Sequence, residues 1–199
     1  MGKMVKVGVW EDDSFRGVII FGRGANGNIG KPFGLDQTQV CELVRVALRE
    51  HRVPVTRMVK VALIKLRQVA PTMRLVVSYA DSGHGHHGGI YQGGNWMYLG
   101  PVPTDCFRIH GKLVHRRTIH AKYGRGGQAI PWLRNNIDPM AERVKQMPKH
   151  KYVMPLDRTM REQLMPHVLP YPQRAGSSTV ERPASQQEGG GSNPTSALT

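Results

Sequence analysis

The chain has 199 residues and 39% hydrophobic content, enough for one folded domain with a sizeable core, and its 28 Lys and Arg against 14 Asp and Glu give a formal charge of +14. That excess is spread from Arg16 to Arg182, so the whole surface attracts polyanions: nucleic acid is the commonest, although ribosomal-type structural proteins and anionic membrane surfaces share the signature. There is no apolar run of about eighteen residues, no signal-peptide core in MGKMVKVGVWEDD, and no CxxC pair or disulfide framework in Cys41 and Cys106, so membrane spans, export and a disulfide are set aside and a cytoplasmic location fits.

Val5, Val7 and Val9 alternate with Lys6 and Gly8, and GVIIF follows the acidic turn EDDS, which predicts an antiparallel hairpin over residues 4–10 and 16–23. GRGANGNIGKPFGLD is too rich in glycine to be regular. VCELVRVAL, residues 40–48, reads as a strand with a short helix as its rival. From Val55 to Val69 the apolar residues Val55, Met58, Val59, Ala62, Leu63, Leu66 and Val69 recur at three- and four-residue spacing, an amphipathic helix with Pro54 suited to its first turn. MRLVVSYAD is a continuous apolar run of the kind buried on both faces of a sheet. Strand, helix, strand implies a right-handed crossover between two parallel strands. Further on, DCFRIHGKLVHRRTIH predicts a hairpin turning at His110-Gly111-Lys112, AIPWLRNNIDPMAERVKQM a short helix, and KHKYVMPLDRTMREQLMPHVLPYP short helical turns broken by prolines. Residues 175–199 hold too little apolar mass to pack, so the folded domain is expected over 1–174 with a disordered tail. SSTVER and GSNP within that tail back-translate to sequences close to the conserved D-arm and T-loop of a transfer RNA gene, so the reading frame is expected to run into one; coincidence in a Ser/Gly-rich tail is the alternative.

The chemistry concentrates in DSGHGHHGGIYQGGNWMYLG, residues 81–100. Asp81 follows LVVSYA directly, at the carboxyl end of a central parallel strand, where open α/β sheets bind ligands; an aspartate capping a turn is the plain alternative. A helix resuming near His86 would place His87, Tyr91 and Asn95 on one face, against the penalty of Gly88, Gly89, Gly93 and Gly94, each about 1 kcal/mol relative to alanine. His84, His86 and His87 do not have the i, i+4 spacing of helical metal ligands, and the metal question stays open. The P-loop and nucleophile-elbow motifs are absent.

CELVRVAL, the helix after RVPVTR, LVVSYAD and GHHGGIYQGGNWMYLG together resemble the strand, helix, strand, helix, strand core of the GNAT acyltransferase fold, in which a tyrosine of the second helix often serves as general acid; Tyr91 matches it. More narrowly, GRGANGNIGKPFGL, CELVRVAL, SYADSGHGHHGGIYQGGNW and KHKYVMPLDR resemble the Mom family of phage DNA-modification proteins, over roughly residues 3–174. The resemblance implies an α/β, GNAT-like mixed sheet with a central parallel pair, lacking the first strand and helices of that fold. It also implies conversion of adenine in DNA to an N6-carbamoylmethyl (methylcarbamoyl) form that protects phage DNA from restriction. One departure matters for the cofactor: the acyltransferase pyrophosphate loop [RQ]xxGx[GA] is replaced by HRVPVTRM, so the group donor is unknown and acyl-coenzyme A lacks its usual loop.

The expected function is therefore a phage or prophage transferase-like enzyme acting on double-stranded DNA in the host cytoplasm, with the target adenine flipped into the crevice between the parallel strands. Asp81 would orient or deprotonate the amine and Tyr91 would shuttle a proton, with Glu42, Arg45 and Asn95 completing the catalytic candidates. Arg52, Thr56 and Arg57 are the candidate cofactor contacts, and Arg116, Arg117, Lys122 and Arg125 the candidate DNA contacts. A conventional acyltransferase on a small amine or protein is the rival, and a non-catalytic nucleic-acid-binding protein comes third.

Overall fold

The computed structural model describes residues 4–24, 27–124 and 126–173. The alternating valines form β1 (Met4–Glu11), which turns through Asp12 and Asp13, both left-handed, into β2 (Ser14–Gly22). After an irregular glycine-rich stretch come β3 (Val40–Leu48), α1 (Val55–Val69) and β4 (Leu75–Asp81). Then follow α2 (Gly89–Gln92), β5 (Met97–Ile109), β6 (Lys112–His115), α3 (Arg116–Tyr123), α4 (Ile130–Asn136), β7 (Glu142–Pro155) and α5 (Arg158–Leu164).

The seven strands make one mixed sheet in the order β1-β2-β3-β4-β7-β5-β6. β3 and β4 are its parallel pair, joined by the crossover helix α1, and the other neighbours are antiparallel. The expected class, mixed α/β with a central parallel pair, is what the molecule adopts. No helix among the described residues is long and apolar enough to cross a membrane.

Each face of the sheet has its own core. On the first, α1 lays Met58, Val59, Ala62, Leu63 and Leu66 against Ile19, Phe21, Cys41 and Val76, with Tyr91, Trp96, Tyr98 and Tyr152 extending the layer. Fully burying an aliphatic side chain of this size contributes about 1.5–3 kcal/mol, and this face is the main anchor of the helix. Val69, at the helix end, stays 64% exposed, so the apolar stripe is one turn shorter than its periodicity implied. On the second face, Phe33, Met160 and Leu164 cover Val40, Leu75, Val77 and Val153. A third, smaller core of Phe107, Ile109, Ile119, Leu133 and Ala141 lies in a lobe where β5 and β6 run beyond the body of the sheet.

Three expectations need correction. KHKYVMP is not a series of helical turns but the end of β7, which runs between β4 and β5. Pro148 is tolerated there because the last β4 rung is Asp81↔Lys149 and the pairing with β5 is irregular between Val102 and Thr104, so a missing N–H leaves no ladder partner stranded. RRTIH is helical, as part of α3, although the hairpin turns where expected, with His110 and Gly111 left-handed. The helix expected from His86 is confined to Gly89–Gln92, ended by the paired glycines after it. The tail, residues 175–199, lies outside the described residues.

Candidate active site

β3 and β4 are paired at three positions, Val40↔Leu75, Cys41↔Val76 and Glu42↔Val77. Beyond them β3 follows β2 and β4 follows β7, so the strands part. A bulge helps to open them: opposite Ile20 and Phe21 the partners jump from Arg45 to Leu43, which sets Val44 out of register.

At the root of the gap stands Ser78, 1% exposed. Its Oγ lies 3.0 Å from the Leu43 carbonyl and 2.8 Å from the Tyr91 hydroxyl. The carbonyl can only accept, so the single serine proton goes to Leu43 and the Tyr91 O–H donates to Ser78. The hydroxyl thus replaces a missing rung of the ladder and fixes the phenol at the same time. Tyr91 also stacks on Tyr152 and packs against Trp96, with ring centroids 5.0 and 5.1 Å apart. Burial pushes its phenol up, and the Glu42 carboxylate adds to this against the opposing Ser78 contact. Tyr91 is therefore a neutral O–H group at ordinary pH.

The chain reaches this point through Gly88, whose backbone is left-handed at φ +89°. A Cβ there would come 2.3 Å from the Tyr152 ring, so only glycine lets the loop pass over the phenol. Tyr152 in turn donates to the His87 carbonyl at 2.6 Å.

Asp81 ends β4 and performs two tasks. Its carboxylate caps the following turn by accepting from the Gly83 N–H at 3.1 Å, and it pairs with Lys149 Nζ at 2.8 Å. The Lys149 ammonium is the main reason its carboxyl is held below the usual range. The turn cap expected of Asp81 is present, and the same side chain lines the cleft.

The gap opens into a cleft of about 1020 Å³ whose lining includes Glu42, Arg45, Asp81 and Tyr91. Four of the five catalytic candidates meet there. Asn95 does not: it is left-handed at φ 57°, beyond the end of α2, and lines a separate groove of about 770 Å³ against α1. Thr56 and Arg57 line that second groove, while Arg52 lines neither and pairs with Asp12. Ile90 borders both spaces.

The sequence reading missed Ser78 and His150. Ser78 was signalled by being the one serine inside an apolar strand run. His150 lines the cleft, with its Nδ1 2.8 Å from the buried Tyr98 hydroxyl, but its alternation was hidden in KHKYV. Among the described residues no group of three or more His, Cys, Asp or Glu is gathered closely enough to hold a metal. Cys41 and Cys106 are both free thiols, and burial pushes Cys41 up to about 12, where it is inert as a nucleophile.

The segment before α1, where the acyltransferase fold would hold a pyrophosphate, is already occupied by the protein itself. The N–H groups of Arg52 and Val53 donate to the Glu11 carboxylate at 3.1 and 2.9 Å, and Pro54 has no N–H to offer. The residues present do not fit a pyrophosphate cradle.

Of the candidate DNA contacts, Arg116, Arg117 and Lys122 lie on α3 in the outlying lobe, and Arg125 lies outside the described residues. Arg116 Nε donates to Gln128 at 3.0 Å, and Lys122 lies 5.2 Å over the Tyr123 ring.

Compared with known proteins, residues 1–173 match the model of the Mom protein family. The chain belongs to that family. It is similar to the protein named Methylcarbamoylase mom of Escherichia phage Mu, with 29% identity over 173 residues that cover 83% of this chain and 70% of the phage protein. The matched region contains the whole lining of the cleft described above, from Glu42 to Gln173.

Proposed function

We propose that the chain is a phage-type DNA-modification enzyme that transfers a carbamoylmethyl group to N6 of adenine. Membership of the Mom family, and the name of the phage Mu relative, support a DNA-modification role. The observation that carries the reading to residues is the convergence of Asp81 and the Ser78-bound Tyr91 on one cleft between splayed parallel strands. The strand order and the crossover helix support a GNAT-like core, and a soluble enzyme of this kind would act in the host cytoplasm and guard the DNA against restriction.

In the proposed reaction N6 forms a bond to the methylene carbon of the transferred group. The bond from that carbon to the donor breaks with its electron pair leaving on the donor, and one N6 proton is released. An adenine must leave the base stack to be reached, at a cost of a few kcal/mol. Asp81, ionised and steadied by Lys149, accepts a hydrogen bond from the amine and orients it. Tyr91 stays protonated, and in the occupied cleft its O–H turns from Ser78 to donate to the developing charge. No step is routed through coenzyme A, because Glu11 fills the place of its pyrophosphate. That occupancy also weighs against a conventional acyltransferase.

Nucleoside mass spectrometry of DNA from cells expressing the chain tests the reading. N6-carbamoylmethyladenine is expected, and Asp81→Asn and Tyr91→Phe should each abolish it while the melting temperature and DNA affinity stay near those of the wild type. Full modification by either stable variant removes that residue from the mechanism, and unmodified DNA from the wild-type chain overturns the reaction.

A further inference from the structure

A cleft between two neighbouring strands has a mouth on each face of the sheet, and the two mouths differ in charge. Side chains alternate along a strand, so Tyr79 and Asp81 share the second face with Leu75 and Val77, and Tyr79 packs against that core. Lys151 and Lys149 are their cross-strand partners on β7. Arg45 falls on the same face, because its neighbour Val46 packs against the first core, and so does the Glu42 carboxylate, which stands between Cys41 and Leu43 of that core. The first mouth is bordered by His86, His87, His150 and the glycines before Tyr91, and Arg45, the one lysine or arginine in the cleft lining, faces the other way.

Lys151 is the unusual member of the second mouth. It is half-buried, its Nζ lies 4.5 Å over the Phe33 ring, and among the described residues no carboxylate is within ion-pair distance of it. Lys149, by contrast, is committed to Asp81. Burial alone draws the Lys151 amine's pKa down, which is the signature of a cation held where a counter-charge is missing. Arg117 of α3 reaches the same mouth, close enough to oppose the upward push that burial and Glu42 give the Tyr79 phenol.

We propose that duplex DNA docks on the second face, with phosphates on Lys151, Arg117 and Arg45, and that the turned-out base enters the cleft past the Tyr79 ring toward Asp81 and Tyr91. The proposal rests on the DNA-modification reading and adds to it the direction of approach. A half-buried ammonium and two guanidiniums around one opening complement a phosphate backbone, and an aromatic wall suits a flipped base, which is read partly by stacking. The exposed cations Lys60 and Lys65 of α1 cover the first face and have no part in this surface.

Fluorescence anisotropy with a labelled adenine-containing duplex, measured over a range of salt concentrations, tests the direction. For the full chain, Lys151→Gln and Arg117→Gln should each weaken binding several-fold and make the log–log salt slope shallower by about 0.9, one phosphate contact each. Lys60→Gln with Lys65→Gln should leave affinity and slope unchanged. Amine labelling of the wild-type chain, read by mass spectrometry, gives an answer even if Lys151→Gln unfolds: DNA should protect Lys151 and leave Lys60 and Lys65 reactive. Wild-type binding that is insensitive to Lys151 and Arg117, or lost with the α1 pair, overturns the direction while the DNA-modification reading stands. A wild-type chain that binds no duplex at low salt overturns that reading and the docking proposal together.

Discussion

In the body of the sheet, aromatic and aliphatic side chains are buried on both faces, and Trp96, Tyr152, Phe21 and Leu66 are all essentially inaccessible. In the lobe beyond it, the buried core among the described residues is Phe107, Ile109, Ile119, Leu133 and Ala141, with Val114, Tyr123, Ile130, Trp132 and Ile137 half-buried around it. The body can therefore hold a buried polar pair, Ser78 and Tyr91, under several layers of packing. The lobe has enough apolar mass to position α3 and its cations, and little more. Small cores bury a smaller share of their surface and are marginal, so chemistry and presentation of charge are assigned to regions of very different strength.

The largest effect should come from breaking the body. Trp96→Ala removes a side chain with 1% exposure and should cost about 3–5 kcal/mol, seen as a large drop in the melting temperature of the whole chain. Leu133→Ala should cost about 2–5 kcal/mol by the same principle, but its loss should stay local. Hydrogen exchange should show amides of α3 and α4 losing protection while those of β4 keep theirs. Uniform loss would mean that lobe and body unfold as one unit. Ser78→Ala leaves Leu43 without its donor and Tyr91 without its acceptor, for about 1–3 kcal/mol; a chemical denaturation curve displaced by less than this would deny the pair its structural part.

The smallest effect concerns Asp81 and Lys149. The folded carboxyl is held below its ordinary value, so the pair's stabilisation is present above the unfolded carboxylate pKa of about 3.9 and is lost as pH falls through the lower folded value. With both side chains partly exposed it should be under about 1 kcal/mol. The difference in melting temperature between wild type and Lys149→Met should be small at neutral pH and vanish in acid. A difference that persists at pH 2 would assign Lys149 a packing role instead.

Much of the body was legible. The valine alternation, the spacing of α1 and the unbroken LVVSYAD run each state their element through one periodicity, and the crossover rule supplies the parallel pair. Asp81 was singled out because the end of such a strand is a ligand position, and Tyr91 by helical spacing and the acyltransferase resemblance; the structure brings both to one cleft. β7 was hidden because Lys149, His150 and Lys151 with Pro148 imitate a loop, although the basic residues alternate toward a polar mouth and the proline sits at an irregular rung. Asn95 was misplaced because helical spacing was carried through four glycines. The parting of β3 and β4 was invisible, since it depends on a bulge at Val44 that no local propensity marks. The lobe's contribution depends on where α3 is carried in space, which its own composition does not reveal.

The three rungs between β3 and β4 also have a mechanical meaning. β2 and β3 share six register pairs, and β4 and β7 share seven, while three pairs and one serine hydroxyl join β3 to β4, with a hydrophobic core bridging them on each face. Each half is stitched antiparallel. Their junction is the weakest seam in the fabric, and it runs through the cleft. Pulled across its strands, the sheet would tear first along the line where Tyr91 sits.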